Sequence, residues 1–309
     1  MKHTVSVYRL PGLNALLKKR QVPWRSIFFM VLAGIVTLSI TLIHPAAQAY
    51  DVVIDPAAPG QGDTVSILVT GRTGASETPT VTVDGEPYPT FALGDNRYRT
   101  FVPTSPLHRS GRYVVQVTGA ERQRNPAFWL DRRSFRTQRI TLSPGSGDLG
   151  TDHEFDRVAA FKAVLSPEKY WDGPFLRPSQ GRVSSEYGVR RYYNGVFADN
   201  YYHRGIDYAA PTGSPVIAPA AGRVVLVGRV ADGFELHGNT IGIDHGQGVA
   251  SIFIHLNSIS VQEGDIVQPG QTVGTVGSTG ASTGPHLHWG LYVNGVAVDP
   301  GPWREQRMN

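Results

Sequence analysis

The chain has 309 residues, 40% of them hydrophobic, enough for about two domains with buried cores. It has no cysteine, which excludes disulfides and leaves His, Asp and Glu to build any metal site. The formal charge of +4 sits in residues 1–49, whose six bases (Lys2, Arg9, Lys18, Lys19, Arg20, Arg25) meet no acid; the other 23 bases face 25 acids, so the concentrated basic face of a nucleic-acid binder is missing.

The first predicted element is a leader. In "KKRQVPWRSIFFMVLAGIVTLSITLIHPAAQAY" a basic flank precedes an apolar run of 17 residues, Ile27 to Ile43, and Ala47-Gln48-Ala49 gives a small-x-small cleavage pattern. This reads as a secretory signal peptide cut after Ala49. The alternative is an uncleaved anchor, since the run is at the short edge of the roughly 17–25 residues that span a bilayer. Either way residues 1–49 send the rest of the chain out of the cytoplasm, and membrane contact is expected only through an uncleaved leader.

Residues 50–142 follow as an all-β unit. "DTVSILVTG", "TPTVTVDG", "RYRTFVP" and "GRYVVQVTG" alternate apolar and polar residues and end in turn residues, a spacing that predicts an immunoglobulin-like sandwich. Asp84-Gly85 is a hairpin signal. No catalytic cluster falls here, and His108 reads as a solvated or hydrogen-bonded loop residue.

Residues 143–177 are predicted to be a linker with one short helix. "TDHEFDRVAAFKAVLSP" has Thr151 and Glu154 in a capping-box pattern and Pro167 as its stop. His153, in its first turn, reads as structural or solvated, and the Pro-, Trp- and Gly-rich stretch to Arg177 is expected to pack on the last domain. Residues 178–309 return to strands, with a strong hairpin signal at Asn294-Gly295 and no room for crossover helices, so antiparallel sheets are expected.

The last domain holds His203, His237, His245, His255, His286 and His288. Three segments stand out: "HRGID" (His203, Asp207), "FIHL" (His255) and "HLH" (His286, His288). A catalytic zinc takes three protein ligands and keeps a position open. His203 and Asp207 offer an imidazole and a carboxylate, but four strand residues span roughly 13 Å, so the chain must bend at Gly205 for joint ligation. In "HLH" the two imidazoles share a face about 7 Å apart, which lets one hold a metal and the other serve as base or electrostatic stabiliser. His237 and His245, in the Gly-rich "ELHGN" and "IDHGQG", read as solvated turn histidines.

Residues 178–300 resemble the LytM/lysostaphin-type zinc endopeptidases of bacterial cell walls. The resemblance rests on "HRGIDYAAPTGSPVIAPAAGRV", "GNTIGIDHGQGVASIFIHL", "VQEGDIVQPGQTVGTVGSTG" and "STGPHLHWGLYVNG", in the family's order. It implies one zinc ion per domain held by His203, Asp207 and His288. It also implies His255 and His286 as the two catalytic histidines, either of which could be the base, and hydrolysis of peptide bonds in peptidoglycan stems or cross-links. Peptidoglycan is then the expected partner, with envelope regulatory proteins beside it. Phe253 stands where the family often has tyrosine, and Tyr193, Tyr201 and Tyr202 lie upstream of His203 without an assigned role. A non-catalytic wall-binding protein, or an activator of another wall hydrolase, is the alternative, which five filled positions disfavour. A biotinyl or lipoyl carrier, suggested by "VQEGDIVQPGQTVG", fails because the last lysine is Lys169.

Overall fold

The computed structural model describes residues 49–71, 77–141, 150–306 and 308. The predicted leader falls outside this range except for Ala49, and no described helix is long and apolar enough to cross a membrane.

The chain is nearly all β, as its alternation predicts. Two four-stranded antiparallel sheets come first. One runs in the order Asp51–Asp55, Thr64–Thr70, Arg97–Pro103, Thr90–Gly94; the other runs Glu86–Tyr88, Thr80–Val83, Gly111–Thr118, Ala127–Leu130. Val65, Ile67 and Val69 of the first meet Val81, Val115, Val117 and Leu130 of the second in one core, each at 0% exposure, so the pair is a sandwich. Asp84 (φ 49°) and Gly85 (φ 88°) make the expected hairpin with both central residues left-handed.

The helix Asp152–Lys162 comes next and ends well before Pro167. Thr151 caps it, its Oγ accepting from Glu154 N at 3.1 Å. The capping box is only half made. The Glu154 side chain does not return to Thr151 but turns inward, and it is fully buried. The following segment does pack as expected: Trp171 and Phe175 join the last core, where Phe175 meets the Trp303 ring edge-on at 5.2 Å.

The last region is one ten-stranded sheet, antiparallel throughout. Its main path is Arg182–Ser185, Ile206–Ala209, His286–Val293, Val249–Ile259, Asn239–Gly246, Gly222–Gly228, Ile266–Val267. Asn294 (φ 46°) and Gly295 (φ 79°) form the predicted hairpin, and a short helix, Pro300–Glu305, not expected from sequence, closes the chain. One pairing departs from the antiparallel rule: Arg190–Tyr193 pairs in parallel with Thr137–Ile140 of the earlier β region. The two strands belong to distant segments, so no tight turn constrains their direction.

The sandwich is packed against the large sheet. Phe101 belongs to the second core, 5.5 Å from the Trp303 ring, and its carbonyl accepts from Asn294 Nδ2 at 2.7 Å. Arg99, buried beside Phe101, donates twice to Gln247 Oε1 at 2.7 and 3.2 Å.

Candidate metal centre

Three strands and one bend assemble the site. Register sets Asp207 beside His288, and His288 beside Ile254 of the central strand. His203 lies just before the Ile206–Ala209 strand, fixed by backbone bonds in both directions: its N–H donates to Val189 O and its carbonyl accepts from Gly188 N. Gly205 works by close approach, not by a left-handed φ. A Cβ there would lie 2.3 Å from Trp289 O and 2.8 Å from His288 Nε2.

The ligand-type atoms of His203, Asp207 and His288 converge. His203 Nε2 is 3.1 Å from Asp207 Oδ1 and 3.1 Å from His288 Nδ1, and His288 Nδ1 is 2.9 Å from Asp207 Oδ1. They are the one group of this kind among the described residues. His203 Nδ1 donates to Glu186 O at 2.8 Å, which leaves a lone pair at Nε2. That lone pair faces the Asp207 carboxylate, a pairing that becomes favourable with a proton or a metal ion between them. Tetrahedral zinc with bonds of about 2.0–2.1 Å sets neighbouring ligand atoms roughly 3.3–3.4 Å apart, so opening the triangle by a few tenths of an ångström fits it. Burial would raise the Asp207 carboxyl, but hydrogen bonds with His203 and His288, and the positive charge either ring carries when protonated, outweigh it and hold it well below the usual carboxylate range. Burial pushes His288 down to about 4 despite the Asp207 charge, so the imidazole is neutral near pH 7, as ligation requires.

His255 and His286 flank this triangle, their rings 4.9 Å apart. His286 Nε2 lies 3.9 Å from Asp207 Oδ1. Strict alternation would send His255 to the core with Phe253, which is fully buried. Instead His255 adopts φ 65°, and a register shift follows in the same strand. This bulge turns it to the side of His286. Nδ1 of His255 donates to Thr279 O and Nδ1 of His286 to Gly284 O, both at 2.8 Å. Each ring therefore keeps an unprotonated Nε2. Burial, with His288 and His286 nearby, pushes His255 down to about 3.

Support for His255 comes from a residue that sequence reasoning read only as a helix cap. Glu154 Oε1 accepts from His237 N at 2.6 Å and His237 Nδ1 at 2.7 Å, while Oε2 accepts from Glu235 N and Leu236 N, both at 3.1 Å. The carbonyl of His237 in turn accepts from His255 N at 2.9 Å. Thr151 Oγ donates to Gly233 O at 2.8 Å and ties the same loop to the helix start.

The solvated reading of His237 and His245 is corrected. His237 is held by Glu154. His245 is fully buried in a strand: its Nδ1 donates to Ala221 O at 2.8 Å and Nε2 pairs with Ser251 Oγ at 2.9 Å, which also accepts from Trp289 Nε1. Glycines beside it signalled a turn, but the strand runs through Gly246 and the turn falls at Gln247 and Gly248. His153 is exposed, its ring edge-on to Phe234 at 6.1 Å. Tyr202 is buried with its hydroxyl on Ala297 O, whereas Arg191 donates to Tyr201 OH at 2.8 Å and Tyr193 OH at 3.4 Å. Burial disfavours the Arg191 charge, but Tyr201, Tyr193 and Asp207 outweigh it and hold its guanidinium above the usual range.

Residues 201–300 match Peptidase family M23. The chain is 43% identical over 119 residues to DD-carboxypeptidase/endopeptidase Mpg of Neisseria meningitidis, covering 38% of this chain and 26% of that protein. It is 39% identical over 167 residues to peptidoglycan DD-endopeptidase ShyC of Vibrio cholerae, covering 50% and 37%. It thus spans well under half the length of these relatives. The crystal structure of a Pseudomonas aeruginosa protein assigned to peptidase M23 superposes with a TM-score of 0.58 at 26% identity, covering 79% of this chain and 94% of that one. Residues 201–300, which hold His203, Asp207, His255, His286 and His288, form a peptidase family M23 domain.

Proposed function

We propose that this protein is a zinc-dependent endopeptidase that acts outside the cytoplasm and hydrolyses peptide bonds in peptidoglycan stems or cross-links. In this reading residues 178–309 form the catalytic domain, 143–177 a helix-bearing linker and 50–142 a positioning β domain. The observation that carries it is the triangle of His203 Nε2, Asp207 Oδ1 and His288 Nδ1 with two imidazoles at its edge. Relatives named peptidoglycan DD-endopeptidases support the substrate class.

His203, Asp207 and His288 would hold the metal. A bound zinc would lower the pKa of a coordinated water towards about 7 and polarise the scissile carbonyl. His255 and His286 each offer Nε2 as the proton acceptor, because each Nδ1–H is committed to a backbone carbonyl. Once protonated at Nε2, either ring can donate a hydrogen bond to the developing oxyanion or return the proton to the leaving amine. The low basicity of His255 keeps it neutral before the reaction, so it adds no charge beside the metal ligands.

The test pairs metal analysis with release of soluble fragments from purified peptidoglycan. The parent should hold about one zinc, following the three-ligand rule. His288→Ala should lose both metal and activity, and His286→Ala should keep the metal and lose activity. Undiminished hydrolysis by both variants would sink the assignment.

A further inference from the structure

In the strand His286–Val293, alternate residues Leu287, Trp289, Leu291 and Val293 are fully buried in the core. His286, His288, Gly290 and Tyr292 therefore share the opposite face. The face that carries His288 runs on through Gly290, which is buried beneath Ile252, the Arg204 carbonyl and the Tyr292 ring, and reaches Tyr292. There it meets a cavity of about 470 Å³ whose lining includes Lys162, Arg204, Tyr202, Tyr292, Ser105 and His108. The three contributing segments are the sandwich, the linker helix and the large sheet.

The lining holds two cations and no carboxylate. Among the described residues neither Lys162 nor Arg204 has an ion-pair or side-chain hydrogen-bond partner. Lys162 Nζ sits 5.6 Å from the Tyr292 ring centre, and the Arg204 guanidinium lies 5.7 and 5.9 Å from those of Tyr201 and Tyr202. Burial and then the Arg204 charge push Lys162 below its ordinary value, which marks two like charges left uncompensated. A Lys in the last turn also suits the helix dipole, but Arg204 has no such partner. His108 adds a neutral donor. Ser105 N–H donates to its Nδ1 at 3.0 Å, so the ring proton sits on Nε2. Two cations with no carboxylate facing them, at the end of the strand face that also carries His288, are complementary to an oxyanion.

We propose that Lys162 and Arg204, assisted by His108, form a subsite for a free carboxylate of the peptide being cut. From His288 to Tyr292 is four strand residues, roughly 13 Å, so the carboxylate lies about four extended residues from the scissile bond. This rests on the endopeptidase reading, and it gives the sandwich a direct part in substrate recognition.

The test uses the zinc-loaded full chain and cross-linked peptide fragments purified from peptidoglycan, with carboxyls either free or converted to amides. The parent should cut the acid form with the higher kcat/KM. In Lys162→Gln and in Arg204→Gln the acid-over-amide ratio should fall roughly tenfold, mainly through KM, at unchanged zinc content. Arg204→Lys, which keeps the charge, should retain most of the ratio. An acid-over-amide ratio near one in the parent, or one that neither Gln variant lowers, would overturn the subsite. If the parent cuts neither form, the endopeptidase reading itself fails, and calorimetric binding of the same fragments decides the subsite: preference for the acid that the Gln variants lose supports it, and equal binding of acid and amide overturns it.

Discussion

Replacing Glu154 by Gln is the most informative single change outside the metal ligands. The side chain keeps its size, but one carboxylate oxygen becomes an NH2 group. Each oxygen now accepts from two N–H groups, His237 N and Nδ1 at one and Glu235 N and Leu236 N at the other. Whichever way the amide turns, two donors face a donor. A buried donor left unpaired costs about 1–3 kcal/mol, and bonds to an ionised acceptor lie at the upper end. The His237 side chain is 19% exposed and can recover some bonding from water, so a net loss of about 2–4 kcal/mol is expected. For a chain of this size that lowers Tm by roughly 4–16 °C. Because His237 O holds His255 N, kcat should fall about tenfold or more while zinc content holds, a loss of roughly 1.4 kcal/mol in the transition state. Thermal unfolding, metal analysis and wall hydrolysis on one preparation measure all three. A Gln variant with parental Tm and turnover would refute the link from helix to loop to His255.

The same carboxyl sets an acid limb. Burial raises it, but the backbone N–H groups and His237 hold it below its ordinary 4.5. A group with a depressed folded pKa gives its full stabilisation above the unfolded value and loses it as pH falls through the folded one, so the parent should weaken below about pH 4.5 and Glu154→Gln should show a flatter Tm-against-pH profile. Gly205→Ala should weaken zinc binding at least tenfold in competition with a chelator, because its Cβ would press on Trp289 O and the His288 ring, with about 1–3 kcal/mol of overpacking. Ser251→Ala orphans His245 Nε2 and Trp289 Nε1 and should cost about 2–4 kcal/mol in denaturant unfolding. Removing zinc should lower Tm, by about 2.7 kcal/mol of lost linkage where the metal had stood at a hundredfold over its Kd.

Local signals in the sequence carried the architecture, while the five central residues came from the family resemblance. Alternating strands, the Asp84-Gly85 and Asn294-Gly295 turns and the Thr151 cap are short-range effects, and each appears where the pattern put it. The "HLH" spacing likewise needs only strand periodicity to bring His286 and His288 to one face. What stayed hidden depends on distant partners. Glu154 meets His237 across 83 residues, and nothing near either residue signals the other. His245 was misread because its acceptor and donor, Ala221 and Ser251, satisfy it inside the sheet. The left-handed backbone of His255 runs against the rule for non-glycine residues, and only the bulge in the folded strand makes sense of it. Arg191, drawn in by Tyr201 and Tyr193, carried no motif at all.

The parallel pairing of Thr137–Ile140 with Arg190–Tyr193 bears on biogenesis. Partners such as Thr137 and Arg190 are 53 positions apart, a long loop to close before the pairing is rewarded. Synthesis runs from the N-terminus, so the sandwich can fold first and Thr137–Ile140, which follows it, can serve as a template when residues 190–197 emerge. An excised segment beginning at residue 178 would lack that template. Its Arg190–Tyr193 strand would keep an open edge, the kind that recruits a second chain and turns a folding unit into an aggregating one.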